Sequence, residues 1–401
     1  MATVTISALR VDARRASKAR EVSQITLRRF RLQPKQPSRP AVLVIGAGPG
    51  GLATAASLKQ AGVKFDLIDR AGCPAGAYAR LNDEITLSSP AAFTELPGLP
   101  IQASSQYITI AEYRRYLERY ARHFELRPEQ QTVESIERRD GQFIVKLAGE
   151  STARRYQIVV AATGMCDHPT IPTIAGLNDG SVAQASRPEV IHARDWPGPA
   201  DLSGKRVLIV GGASSAIAIA EQCAEAGLPV VVSTRRDQMR FSFTRILGID
   251  VRRWVYPVTR MLPRWLFGKR CSLHPAFVGT ERNFSQHQKS GLITVRGPIE
   301  RFNGEQAKFG DSKTDQREAF DLVVLATGYR FSMPFLPSDV ARAPAGHPLA
   351  DRGESCSWPG LYFVGMPCSQ SVGSEFLHGI AADAPVVAER IRVACQSRST
   401  K

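Results

Sequence analysis

Two glycine-rich turns, each closing an apolar run, are the first residues in this sequence with the types and spacing for chemistry. The first run, VLVIGAGPGG over residues 42–51, holds Gly46-Ala47-Gly48-Pro49-Gly50-Gly51 in the pattern G-x-G-x-x-G. Such a turn can carry a pyrophosphate. Its first glycine allows a tight exit from a strand, its second lets phosphates approach the backbone, and its third lets helix and strand pack closely. A helix starting there aims unpaired N–H groups and a positive dipole end at the anion. Asp69 closes the next apolar run, 23 residues after Gly46, where a ribose-binding carboxylate belongs.

The second run, VLIVGGASSA over 207–216, reads Gly211-Gly212-Ala213-Ser214-Ser215-Ala216. Ala213 stands where the second glycine belongs, and its methyl group holds a pyrophosphate slightly outward. That suits an exchangeable dinucleotide better than a permanent one. After the partner strand come Ser233, Thr234, Arg235 and Arg236, with no acid. A carboxylate there favours NAD, whereas hydroxyls and a guanidinium suit the 2′-phosphate of NADP. Exposed strand-end charge is the plainer explanation of the two arginines. The candidate cofactor-binding residues are therefore Gly46, Gly48, Gly50, Gly51 and Asp69 for a tightly held FAD. For a visiting NADP they are Gly211, Ser214, Ser215, Thr234 and Arg235.

The elements that must position these residues alternate between strand and helix. Strands are expected at 41–45, 63–69, 156–164, 205–212, 229–234, 291–297, 320–330 and 360–365. Helices are expected at 49–61, 109–124, 376–394 and from the second motif to about Ala226. Residues 132–138 and 142–148 read as a hairpin turning at Asp140-Gly141. This alternation implies an α/β fold with parallel sheets covered on both faces. It is read as two Rossmann-like dinucleotide-binding domains. The expected division is a basic extension over 1–40, an FAD domain over 41–165 and 320–395, and an inserted NAD(P) domain over 166–319. Two ATG turns close strands near the crossovers. Thr327 and Gly328 are assigned to the flavin side and Thr163 and Gly164 to a crossover, with simple hinges as the alternative for each.

The 401 residues carry a net charge of +15, but residues 1–40 alone hold ten basic and two acidic residues. The basic excess is largely a property of that tail. Nucleic-acid binding lacks aromatic interleaving there and is not expected; an organelle transit peptide and a plain extension are the other readings. No apolar run is long enough to span a membrane. Seven widely spaced cysteines include no C-x-x-C pair, so reduced, mostly buried thiols are expected, with neither a metal site nor a dithiol centre. A cytoplasmic location is the default, and the oligomeric state is left open.

Between residues 41 and 394 the chain resembles class B flavoprotein monooxygenases of the flavin-containing monooxygenase type. VLVIGAGPGGLATAASLKQAG resembles that family's FAD fingerprint, and VLIVGGASSAIAIAEQCAEAG its NADP fingerprint. LATGYRF over 325–331 resembles its ATGY signature. IHARDW over 191–196 resembles the end of F-x-G-x-x-x-H-x-x-x-W; His192 and Trp196 match, while Ser186 and Pro188 replace Phe and Gly. LSSPAAFTELPG over 87–98 is closer to the plant YUCCA-type and bacterial branches than to the animal one, whose flavin-side Asn is replaced here by Leu87 or Ser88.

The resemblance implies an NADPH-dependent monooxygenase. Hydride passes to FAD, O₂ adds to give a C4a-(hydro)peroxide, and a small substrate is oxygenated at N, S or a carbonyl carbon. The pocket must be dry, and no side chain has to act as nucleophile. Ser88 and Ser89 are the candidate catalytic-face residues, with helix capping before Pro90 as the alternative. The last helix, after SVGSEF, is expected to aim its N-terminus at the flavin. His378 is either an acid–base group or a packed side chain. Specificity is placed in 239–290, with Arg240, Arg245, Arg252 and Arg253 as candidate anion-attracting residues. Two other functions compete: an NADPH-dependent flavoprotein reductase without oxygenation, and a nicotinamide-binding redox sensor presenting its basic tail.

Overall fold

The computed structural model describes residues 40–181, 187–235, 245–246, 249–250, 283–310 and 317–399. Arg240, Arg252, Arg253 and Ser186 lie outside the described residues, as does the tail before residue 40.

The first unit opens with strand β1 (Val42–Ile45), helix α1 (Pro49–Gln60) and strand β2 (Phe65–Asp69). Helix α2 (Ile110–His123) follows and starts at a capping box. Thr109 Oγ accepts from the Glu112 N–H, and the Glu112 carboxylate accepts from the Thr109 N–H. Next come β3 (Glu129–Gln130), a three-stranded antiparallel sheet of β4 (Val133–Arg139), β5 (Gln142–Leu147) and β6 (Arg154–Tyr156), and β7 (Ile158–Ala161). The hairpin turns at Asp140-Gly141, as the sequence predicts. Both residues have positive φ, which an Asp-Gly pair tolerates.

The second unit repeats this plan. It begins with an edge strand, β8 (Glu189–His192). Then come β9 (Val207–Val210), α3 (Ser214–Glu225) and β10 (Val230–Ser233). The pairs β11 (Arg245–Ile246) and β12 (Ile249–Asp250) form a small hairpin, and α4 (Phe284–Lys289) leads to β13 (Ile293–Arg296). Strands β14 (Ile299–Asn303), β15 (Gln306–Phe309) and β16 (Arg317–Ala319) make another three-stranded antiparallel sheet before β17 (Leu322–Leu325). The chain then returns to the first sheet with β18 (Ala350–Asp351), β19 (Glu354–Ser355) and β20 (Leu361–Phe363), and ends in α5 (Leu377–Ser399).

The sheet orders show the repeat directly. The first is β18-β19-β20-β7-β1-β2-β3 and the second β13-β10-β9-β17-β8. In each, the glycine-rich strand sits between its own βαβ partner and the strand that follows the small antiparallel sheet. Each sheet is apolar on both faces. Val42, Val44, Ile158 and Val160 pack beneath α1, α2 and α5. Leu43, Val159 and Ala161 pack on the opposite face with Phe143 and Tyr156. A similar pair of cores flanks β9 and β17. This continuous Val/Ile/Leu content is what a parallel sheet buried on both sides requires.

Two sequence expectations change here. Strand β17 pairs with β9 and β8, so it is a central strand of the second sheet. The boundary expected before residue 320 therefore falls after Leu325. The cysteines are also less uniform than expected: Cys73, Cys166 and Cys356 are exposed, and Cys368 is disulfide-bonded.

One buried charge ties the antiparallel sheet of the first unit to its neighbours. The Arg154 side chain is 6% exposed and donates to Glu129 at 2.6 and 2.7 Å, and to Glu150. Arg154→Ala is expected to lower stability by about 1–3 kcal/mol, the range for charge-assisted hydrogen bonds, since both carboxylates can rehydrate. Urea unfolding checks this; an unchanged midpoint would contradict the role given to Arg154.

Candidate active site

Each glycine motif is held by one tight steric contact. Gly46 has φ +103°, and a Cβ there would lie 2.6 Å from the carbonyl oxygen of Ala162. Gly211 has φ +144°, and a Cβ there would lie 2.2 Å from the carbonyl oxygen of Ala326. Each ATG turn therefore packs against the glycine motif of its own unit. This reverses part of the sequence reading. Thr327 and Gly328 belong beside the second motif, and Thr163 beside the first. The reason is the repeated sheet order, which sequence pattern alone did not register. The signal was nevertheless present, since each ATG follows its glycine motif at almost the same distance along the chain.

In the first motif, a Cβ on Gly51 would meet the Gly46 carbonyl oxygen at 1.7 Å, so strand and helix touch there. Gly48 is different. A Cβ on it would find nothing nearer than Gly76 Cα at 4.0 Å. Gly48 is also the N-cap of α1 and supplies no side-chain cap. The first-turn N–H groups thus face a space bounded by two glycines. Beside it, Thr163 Oγ is buried without a hydrogen-bond partner among the described residues. An uncapped helix start, an open approach and an unpaired buried hydroxyl fit a pyrophosphate-bearing dinucleotide such as FAD.

Asp69 does more than wait for a ribose. One carboxylate oxygen accepts from the Ala47 N–H at 2.8 Å, the other from the Ala71 N–H at 2.7 Å. The acid thereby fixes the glycine loop to the end of β2 while keeping lone pairs for hydroxyl donors. Its neighbour Arg70 pairs with Asp167 at 2.7 Å, joining the ends of β2 and β7, the two strands that flank β1. This ion pair holds the Asp167 carboxyl below the usual range.

The second motif is more open. Ser214 and Ser215 are exposed at the start of α3, and Ala213, its N-cap, supplies no side-chain cap. Arg235 is exposed at the end of the turn after β10. Thr234, however, is only 6% exposed, and the Ser233 hydroxyl donates inward to the Gly297 carbonyl at 2.9 Å. Ser233 and Thr234 are thus both buried, whereas Arg235 is exposed. Of the residues expected at a 2′-phosphate, Arg235 is thus the one described residue presented to solvent. An exposed, uncapped helix start with a nearby guanidinium fits a dinucleotide that comes and goes.

His192 braces the end of β17, and Trp196 supports a residue that connects the units. His192 Nε2 lies 3.2 Å from the Gly328 carbonyl, and its Nδ1 accepts from the Arg194 N–H. Both contacts are met by the neutral Nε2–H tautomer. Burial pushes the His192 pKa down. Thr170 N–H also donates to Gly328 O, and Thr327 Oγ donates to Thr170 O, so the two crossover segments are bonded to each other. The Trp196 indole N–H donates to Gln222, whose amide donates in turn to Asn82 and Glu84 of the first unit. Asn82 and Gln222 carried no sequence signal.

Around the expected flavin face, Pro90 is the N-cap of a single 3₁₀ turn, Ala91–Phe93, with no side-chain cap. Ser88 is exposed and Ser89 half-buried just before it. At the other end, Ser374 Oγ accepts from the Gln370 and Ser371 N–H groups and shapes the approach to α5. Glu375 lies there, and burial pushes its carboxyl up to about 7. His378 is packed: it is 3% exposed and stacked on Phe376. Among the described residues no cluster could hold a metal ion, and no helix is long and apolar enough to cross a membrane.

Two nucleotide-cradling turns on paired parallel sheets, linked by crossover segments bonded to each other, define a two-dinucleotide-binding flavoprotein fold. The family described as pyridine nucleotide-disulphide oxidoreductase matches residues 43–262. The chain is 30% identical over 391 residues to indole-3-pyruvate monooxygenase YUCCA6 of Arabidopsis thaliana, covering 87% of this chain and 89% of the relative. It superposes on a flavin-containing monooxygenase from Stenotrophomonas maltophilia with a TM-score of 0.71 at 21% identity, over 90% of this chain and all of the other. The same fold is shared with the bacillithiol disulfide reductase Bdr of Bacillus cereus, at TM-score 0.66, 17% identity, and 89% and 100% coverage. The chain belongs to the pyridine nucleotide-disulphide oxidoreductase family and, within it, to the flavin-dependent monooxygenases.

Two predictions follow from the geometry. Gly48→Ala keeps a compatible φ of −73° and clashes with nothing, so the protein is expected to fold with a near-native melting temperature yet lose its flavin absorbance. Retained flavin would contradict the cradle. The second prediction concerns Glu375. Its folded pKa lies above the ordinary value, so its contribution to stability is full below about 4.5 and is lost as pH rises through about 7. Glu375→Gln should flatten the melting temperature between about pH 5 and about pH 8, relative to the parent; an unchanged slope would count against the burial argument.

Proposed function

We propose that the chain is an NADPH-dependent FAD monooxygenase that oxygenates a small organic substrate. The observation that carries this reading is the inequality of the two cradles. Both are anchored by a glycine–carbonyl contact, but the first is bounded by buried groups and an acid bonded to its loop, whereas the second is exposed and offers a guanidinium in place of a ribose-binding acid. A resident flavin and a transient nicotinamide dinucleotide match these two sites.

When bound, FAD supplies hydride acceptance and the activation of O₂. The work of the protein is then to bind, orient and exclude water. Gly46 and Gly51 fix the turn, and the first-turn N–H groups of α1 hold the pyrophosphate past Gly48. Asp69 takes the ribose hydroxyls while holding the loop in place. At the second site the N–H groups at Ser214 and Ser215 receive the nicotinamide dinucleotide's pyrophosphate, and Arg235 pairs with its 2′-phosphate. Ser88 and Ser89 stand at the flavin face, and the buried segment before α5 closes the far side. Burial raises the Glu375 carboxyl there to about 7, which lessens the anionic charge beside the ring. The Thr170–Gly328 and Trp196–Gln222–Asn82 contacts hold the units in register, so that ring and nicotinamide can meet.

The reductase reading shares the fold and the cofactors and differs in where the oxygen goes. Incubation with NADPH and ¹⁸O₂ in the presence of indole-3-pyruvate, a thioether or a tertiary amine distinguishes them. The monooxygenase reading predicts substrate-stimulated NADPH consumption with ¹⁸O in one product. Stoichiometric H₂O₂ with every substrate would support reductase chemistry instead. Arg235→Ala is expected to raise the KM for NADPH roughly 10–100-fold, the equivalent of one charge-assisted contact, with little effect on kcat or on the KM for NADH. Equal losses with NADH and NADPH would remove Arg235 from the 2′-phosphate.

A further inference from the structure

The segment that leaves β2 and crosses the first glycine motif holds an alanine in a conformation that alanine resists. Ala75 has φ +108° and ψ −24°. Among the described residues, Glu125, Asp140, Arg352 and Cys368 also have positive φ, but at 49°, 52°, 46° and 54°. Those values lie near the left-handed well, centred at about φ +57° and ψ +47°. Ala75 is far from that well in both angles, where an L side chain is strained and glycine is not.

Such strain persists only where the surroundings over-determine the backbone, and here they do. Ala75 is fully buried. Its N–H donates to the Ala47 carbonyl at 3.2 Å, and its carbonyl accepts from the Tyr78 N–H at 3.2 Å. Gly76 follows and lies against the motif: a Cβ on it would be 3.1 Å from Gly48 Cα. At the near end of the segment, Asp69 accepts from the Ala71 N–H at 2.7 Å. At the far end, the Tyr78 ring meets Tyr113 of α2 edge-on, with centroids 5.0 Å apart. Residues 70–78 are thus anchored at both ends and strained in the middle, beside the open approach at Gly48.

The strain gives the closed turn a direction of release. Lifting it off Gly48 breaks the Ala75–Ala47 bond but lets Ala75 relax. The closed form is therefore held less firmly than it would be with glycine at this position. A dinucleotide whose pyrophosphate lodges between Gly48 and Gly76 touches both sides only in the closed form, so binding and closure favour each other.

We propose that residues 70–78 form a strap that lifts for FAD to enter or leave, and that the strain at Ala75 sets how readily it lifts. The inference rests on the reading that the first cradle holds the flavin, and it gives that site a route of exchange.

The test uses the flavin-loaded full chain. FAD release after dilution is followed by the rise in free-flavin fluorescence, and hydrogen exchange is read on peptides covering 70–78 and α2. Ala75→Gly removes the strain and should slow FAD release roughly 10-fold, within the range that one strained residue can supply. Exchange over 70–78 should slow with it, while exchange over α2 stays as in the parent. Ala77→Gly, at an exposed position without positive φ, controls for glycine as such and should slow neither. Holoprotein in which Ala75→Gly leaves FAD release unchanged or faster overturns the strap and keeps the flavin reading. Equal slowing of exchange over 70–78 and α2 also overturns it, since that marks a general gain in stability. A chain that binds no FAD in parent or variant overturns the flavin reading, and the strap with it.

Discussion

A carbonyl oxygen pressed against a glycine Cα governs this structure, and it does so twice. At Gly46 and at Gly211 a single methyl group would collide with the backbone of the neighbouring strand's end, at Ala162 and Ala326. The contact sets how closely the glycine-rich strand approaches its partner, and so where the following helix begins. Because it recurs with the same strand order in both sheets, the two helix starts occupy equivalent places in equivalent units. The crossover segments that leave those strand ends then bond to each other through Thr170 and Gly328, with His192 on the same carbonyl.

Given that common frame, function arises from the differences. Gly48 opens a close approach in the first unit, whereas Ala213 stands at the matching step in the second. Asp69 is held by two backbone N–H groups and presents fixed acceptors. The second unit has no acid at that place and instead exposes Arg235 to solvent. In the function proposed, one site serves retention and the other exchange, which is the asymmetry a recharging cycle needs. The link through Trp196, Gln222 and Asn82 crosses between the units on a few polar bonds, so their register depends on hydrogen bonding as well as packing.

Much of this was legible in the sequence. Period, glycine spacing and the Asp140-Gly141 turn are local signals, and each of the strands and helices they mark is present within a few residues. What escaped was set by contacts distant in sequence. The Ala162 and Ala326 carbonyls reveal their partners only once the sheet order is known, so local pattern alone points Thr327 and Gly328 to the flavin side. The direction of the Thr234 side chain depends on the register of β10 against β13, and on the Thr234 N–H bond to Arg296. Asn82 and Gln222 are ordinary polar residues whose role exists only across the interface. Arg154 carries no local signal of burial, because Glu129 and Glu150 close around it only in the fold.

The most direct test of the account is an anaerobic titration of the purified protein with NADPH, followed by gel filtration and analysis of the bound nucleotides. Unequal cradles predict full bleaching of the flavin absorbance, with FAD co-eluting with the protein and NADP⁺ left behind in the small-molecule fraction. Flavin that NADPH cannot bleach, or a protein fraction that keeps NADP⁺ and sheds FAD, would contradict it.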